Sequence, residues 1–349
     1  MASIDKESLF EGSNVSLINT RQQRYNNIRF SGELSDNKTE YILTSEQGKL
    51  SLSIKDEIVL YIIAKFRFCP SWLARQWYEE SSDNIAMVGE DVGRTKLRSF
   101  IDFGLIYEFP SAVAVFLMPT DRLASLFGVK LGSFNNPPYN TLTHTISEEQ
   151  VMYECLSGNA KYLSNTKCIP YVSSLGLGSI GAACFPESDY SVRSSFFQKH
   201  IEEFNDQEAR LAQEILQGKI ITTVDFKESK FTIHKKIDQY EYDMKIPDLA
   251  VLAPRVISDG LALPMSVALE VELTCKGVEK YERLLDLYWS NLKFGTVVYL
   301  VNQKKTRDCL IEAYRNVQEK HAADGEEQVC KVKLVEFEVP YNKKQMIEY

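Results

Sequence analysis

Two acidic patterns in the second half of the chain have the types and spacing to do chemistry. Pro247-Asp248 places a carboxylate at the head of one apolar run, and Leu269-Glu270-Val271-Glu272-Leu273 places two more at i and i+2 inside another. In a strand, residues two apart project from one face. Glu270 and Glu272 therefore point together, with Leu269, Val271 and Leu273 packing behind them. Carboxylates repeated on one face of an apolar strand repel each other and resist burial unless a divalent cation, or a partner's cationic groups, neutralises them. Magnesium prefers carboxylate oxygen. Asp248, Glu270 and Glu272 are thus the expected ligands of a magnesium ion, with manganese as substitute, and Lys276 is a cationic group close by. A plainer reading puts both glutamates on the solvated face of a half-buried strand.

These residues need elements to position them. The pattern from 195 to 349 predicts a long helix over 195–217, short strands over 220–226 and 231–236, and strands over 248–253 and 266–273. A helix over 277–293 follows, with Val278, Tyr281, Leu284, Leu285, Tyr288 and Leu292 along one side. Next come a buried strand over 296–301, a helix over 306–321 and a closing strand over 332–339. A strand–helix–strand crossover of this length implies parallel pairing. The domain is expected to be α/β with a mixed central sheet.

Upstream, residues 1–48 are polar and read as a flexible arm, locally basic at Arg21, Arg24 and Arg29. Residues 49–130 read as three helices and a two-stranded wing. Ile54, Ile58, Ile62 and Phe66 recur at helical spacing. Pro70-Ser71 opens a second helix, and a third over 92–103 is stopped by Gly104. This is the winged helix-turn-helix order. Arg94, Lys96 and Arg98 on the polar side of the third helix, and Arg75 on the second, are the expected DNA contacts. Residues 131–194 read as a connecting region. It contains a helix over 147–160 capped at Ser147-Glu148-Glu149-Gln150, a structural His144, and a glycine-rich turn at 176–181 whose G-x-G-x-x-G spacing lacks the helix a dinucleotide site requires.

Length and composition bound the rest. At 349 residues, two domains are expected, and 44% hydrophobic content supplies an ordinary core. A net charge of −8 excludes a molecule coated in positive potential, so contact with nucleic acid must come from a local patch. The seven cysteines are scattered with no C-x-x-C pair, which argues against a zinc knuckle or a disulfide framework and for reduced thiols. With no apolar leader and no long apolar run, a cytoplasmic, non-membrane protein is expected.

Pro247-Asp248 on one strand and Glu270-Val271-Glu272 on the next resemble the PD-(D/E)xK nuclease fold, with Glu272 standing where that pattern carries lysine. Some restriction endonucleases of this fold are similar in that respect. Lys276 would supply the charge from a displaced position, and Glu208 of the leading helix, with Glu214 as the alternative, would join the site. The order over residues 52–302 also resembles the replication-relaxation family of mobile-element proteins. The motifs that carry this resemblance are Leu105-Ile106-Tyr107, Leu142-Thr143-His144, Pro247-Asp248, Glu270 to Leu273 running into Tyr281 and Tyr288, and Val297-Val298-Tyr299-Leu300. That resemblance implies an α+β protein, a winged helix followed by a nuclease-like domain. It would bind double-stranded DNA and act with a relaxase or replication proteins in plasmid replication, relaxation or conjugative transfer. Two readings stay open: an accessory protein with a degenerate nuclease-like domain, and a magnesium-dependent DNA endonuclease targeted by its winged helix.

Overall fold

A computed structural model describes residues 30–79, 92–111, 114–129, 131, 139–186, 247–256, 262–289, 294–325 and 330–340. The helix expected over 195–217 with Glu208 and Glu214, the strands over 220–226 and 231–236, and Arg21, Arg24 and Arg29 lie outside the described residues. The chain divides into two compact units that both mix helices and strands. One comprises Met1–Tyr153, Ser173–Ser179 and Val339–Tyr349, the other Glu154–Val172 and Ile180–Glu338. The second unit thus begins upstream of residue 195, and the stretch expected to be a mere connection over 131–194 contributes to both. Among the described residues, no helix is long and apolar enough to cross a membrane.

In the first unit, strands β1 (Phe30–Leu34), β2 (Tyr41–Ser45) and β3 (Gly48–Leu52) form an antiparallel meander. The expected arm to residue 48 therefore gives way to a sheet from residue 30. Leu43, Leu50 and Leu52 are buried while most of their strand neighbours are not. One buried apolar side chain per pleat suffices to hold a short meander once its turns are in place, and so sparse a pattern reads as polar in sequence.

Helix α1 (Ile54–Phe66) starts at a capping box in which Ser53 and Asp56 satisfy each other's backbone donors. Then follow β4 (Cys69–Pro70), α2 (Ser71–Glu79), α3 (Val92–Asp102), β5 (Ile106–Pro110), β6 (Val115–Pro119) and α4 (Asp121–Leu126). The three strands form one antiparallel sheet in the order β4-β6-β5. A Cβ on Gly93 would lie 3.0 Å from the Arg75 carbonyl oxygen, so glycine there allows α3 to approach α2.

Helix α5 (Tyr139–Ser157) begins a full two turns before the expected start at residue 147. Ser147 is inside it and donates its hydroxyl to the Thr143 carbonyl at 2.8 Å. A Ser-x-x-Gln pattern caps a helix only where the preceding residues cannot be helical, and here Leu142 and Ile146 continue the apolar spacing into Val151. Trp77 and Tyr153 stack with ring centroids 4.7 Å apart, and the Trp77 indole donates to Gln150 at 2.7 Å.

A short ribbon of β7 (Tyr171–Val172) and β8 (Ser179–Ile180) comes next, and the second unit continues with β9 (Cys184–Pro186), β10 (Leu249–Val256) and β11 (Ala262–Glu272). Helix α6 (Val278–Trp289) leads to β12 (Phe294–Val301), and helix α7 (Lys304–Asp324) to β13 (Lys331–Glu336). The sheet order is β13-β12-β11-β10-β9. β9, β10 and β11 pair antiparallel, while β11, β12 and β13 pair parallel through the two helical crossovers. This is the expected mixed sheet. Ala268, Val297, Tyr299 and Val301 of the sheet pack in one core with Tyr281, Leu285 and Tyr288 of α6 and Leu310, Ala313 and Val317 of α7. Leu269 and Val271 fill the opposite face.

Candidate functional site

The sheet brings the expected acidic residues together. Leu249 pairs with Leu269, so Asp248, one residue before β10, borders Glu270. The Val271 amide donates to Asp248 Oδ2 at 2.8 Å, which fixes the aspartate against β11 between the two glutamates. Glu270 and Glu272 share a face as their spacing requires, but that face is not solvated: each is 1% exposed. It is the face α6 covers.

The glutamates meet hydroxyls and one cation there. Tyr288 donates to Glu270 Oε1. Lys276 Nζ lies 2.5 Å from Glu272 Oε1, and the Tyr281 hydroxyl lies 3.4 Å from Oε2. Burial, then the charges of Glu270 and Asp248 among others, pushes the Tyr288 hydroxyl well above its ordinary value. Burial followed by Glu272 does the same to Tyr281, and burial followed by Glu270 and Glu272 to Tyr299. All three phenols therefore keep their protons and add no further anions, and those of Tyr288 and Tyr281 bond to the glutamates.

Sequence reasoning placed Tyr281 and Tyr288 on the apolar side of α6 and missed their role. The legible signal was their spacing of seven, which stacks them on one helix face. A buried tyrosine also needs a partner for its hydroxyl.

The donor set fits magnesium poorly as arranged. Magnesium demands octahedral oxygen coordination and keeps several waters. Two carboxylates at 1% exposure, already bonded to Tyr288, Tyr281 and Lys276, would have to give up those partners and admit water to hold a hydrated ion. Lys276 does supply positive charge from its displaced position, but it delivers it to Glu272.

Beside this cluster, the start of α6 forms an open groove of about 690 Å³, lined by Lys276, Lys280 and Arg283 with Glu279 and Leu284. The lining carries more positive than negative charge on a chain that is acidic overall.

In the first unit, the four expected DNA contacts divide. Arg94 and Arg98 are exposed on α3, with Arg98 paired to Asp102 at 3.0 Å. Lys96 is engaged within the fold: its Nζ lies 3.1 Å from Oδ2 of Asp56, which is 1% exposed and also accepts from Tyr78 at 2.8 Å. A buried aspartate at the head of α1 needs a cation, and Lys96 answers that need. Arg75 is half-buried on α2. His144 pairs with Glu148 one turn on at 3.1 Å, a local helical contact.

Searches against family models, curated proteins and solved structures found no match to this chain.

Proposed function

We propose that this chain is a DNA-binding accessory protein of replication, relaxation or conjugative transfer in a mobile element, whose second unit is a nuclease-like framework used for contact and not for cleavage. The observation that carries this reading is the closure of the carboxylate pair. Glu270 and Glu272 are 1% exposed beneath α6 and occupied by Tyr288, Tyr281 and Lys276. A phosphodiester and its metal must reach the ligands that activate water, and these ligands face a helix. The antiparallel meander into β11, followed by the parallel crossover to β12, supports the nuclease-like ancestry. The first unit supports duplex binding by its order of α1, β4, α2, α3, β5 and β6, the winged helix-turn-helix order, with Arg94 and Arg98 exposed on the third helix.

A second reading, the magnesium-dependent endonuclease, rests on Asp248 and Glu270 being neighbours. One experiment separates the two. The full chain is mixed with supercoiled plasmid in magnesium, manganese or chelator, and with labelled duplex across a salt series. The accessory reading expects duplex binding without nicking, and the Arg94→Ala/Arg98→Ala variant should flatten the salt dependence by roughly one to two units of slope. Metal-dependent nicking abolished by Asp248→Asn would establish the endonuclease instead. Absence of duplex binding would sink both.

A further inference from the structure

Cys275 and Cys309 are far apart in sequence, and the fold brings their sulfurs to 3.1 Å. Cys275 lies in the short segment between β11 and α6, and Cys309 lies near the start of α7. Both are partly exposed. A disulfide bond is about 2.05 Å long, so closure needs a movement of only about 1 Å. Cys275 itself lies outside the strand ladder, so the movement breaks no ladder hydrogen bond.

The two thiols are also unequal, in the manner of an attacking and a resolving cysteine. The hydrogen bond shared with Cys309, then that with the Gly277 backbone, lowers the Cys275 thiol below its ordinary value, and Lys305 adds to this. Cys309 is raised in turn by Cys275. The other cysteines contrast with this pair. Cys69, Cys155, Cys184 and Cys330 are buried. Burial pushes Cys168 up to about 11 and Cys330 up to about 12. Oxidants attack thiolates that they can reach.

We propose that Cys275 and Cys309 form a reversible, oxidant-driven disulfide that ties the β11–α6 segment, with Lys276 next in line, to α7. With a hydroperoxide as oxidant, the Cys275 thiolate attacks the peroxide oxygen and the O–O bond breaks, giving a sulfenic acid and, for hydrogen peroxide, hydroxide that takes up a proton to become water. The Cys309 sulfur then attacks the sulfenic sulfur, its proton leaves, and the hydroxyl departs as a second water. Two thiols are oxidised by two electrons and one peroxide is reduced. A thiol reductant such as dithiothreitol reverses the linkage by exchange.

The test uses the full chain, reduced and then treated with stoichiometric hydrogen peroxide, quenched with an alkylating agent under denaturing conditions and mapped by peptide mass. The expected product is one linked peptide pair containing Cys275 and Cys309, two hydrogens lighter than the free peptides, formed at least tenfold faster than oxidation at any other cysteine and lost on reduction. In Cys309→Ser the link should vanish and Cys275 should accumulate a sulfenic acid trapped by dimedone. In Cys275→Ser neither product should form at residue 309 at that rate. Oxidation spread evenly over the seven cysteines, a different dominant pair, or both thiols still alkylated when the peroxide is consumed would overturn the proposal.

Discussion

Asp56 and Glu57 on α1 and Glu270 and Glu272 on β11 are two acidic pairs, each residue no more than 1% exposed, whose charge is met in different ways. Adjacent residues on a helix diverge by about 100°, so the α1 pair recruits two separate sets of donors. Asp56 accepts from Ser53, Tyr78 and Lys96. Glu57 accepts from the Ser173 hydroxyl and from the Ser174 amide at 2.7 Å and hydroxyl at 3.0 Å. The positive end of the helix macrodipole adds to both. The strand pair shares one face, and α6 with its leading segment serves both members through two tyrosines and one lysine. Burial of an acid is therefore no mark of chemistry on this chain. What distinguishes β11 is a third carboxylate, Asp248, held beside the pair by the Val271 amide.

The sharpest way to break the comparison is to remove one member of the helical pair. Asp56→Ala takes the capping-box partner from Ser53 and leaves the Tyr78 hydroxyl, on a residue 7% exposed, without its acceptor. Loss of a cap and of a buried charge-assisted bond should cost about 3 kcal/mol, read by urea unfolding. A loss below about 1 kcal/mol would show that the α1 acids are no more structural than those of β11.

Glu149 on α5 sharpens the comparison as a buried acid whose one compensating group is weak, the Cys69 thiol. Among the described residues, no nitrogen or hydroxyl donor reaches either of its carboxylate oxygens. Burial, helped by the charge of Glu148 and only partly offset by the Cys69 thiol, raises it well above the ordinary value of 4.5. The folded protein thus holds a proton that the unfolded chain releases above about pH 4.5. The stabilisation is complete below that pH and is lost progressively as pH rises towards the folded value. Glu149→Gln should flatten this fall and add roughly 1–3 kcal/mol near pH 8. Parallel stability–pH curves for the two proteins would contradict the assignment.

The smallest effect is expected on β11. Glu272→Gln leaves Lys276, whose side chain is 33% exposed, free to rehydrate, so stability should change by less than about 1 kcal/mol. Ultraviolet titration of Tyr281 should shift downward, because the charge of Glu272 ranks behind burial among the causes that raise it. A loss as large as that of Asp56→Ala would make Glu272 a structural acid of the same kind.

Much of this was legible in the chain. The i, i+2 spacing of Glu270 and Glu272 dictated their shared face, and runs of apolar residues between breakers marked β10, β11, α6, β12, α7 and β13 to within a few residues. The meander from residue 30 was not, because Leu43, Leu50 and Leu52 are too few to stand out among polar neighbours. Nor was the start of α5, where a capping signal at Ser147 competed with apolar spacing that already ran through it.

The sequence by itself determined which side chains share a face, since backbone periodicity is local and needs no partner. Only the tertiary structure decided what each face meets. It gave Lys96 a partner in Asp56, put Tyr281 and Tyr288 over the β11 glutamates, and brought Cys275 to Cys309. Those pairings join residues on different elements, and burial makes them compulsory: a charge or hydroxyl taken out of water must find whatever complement the packing of those elements supplies.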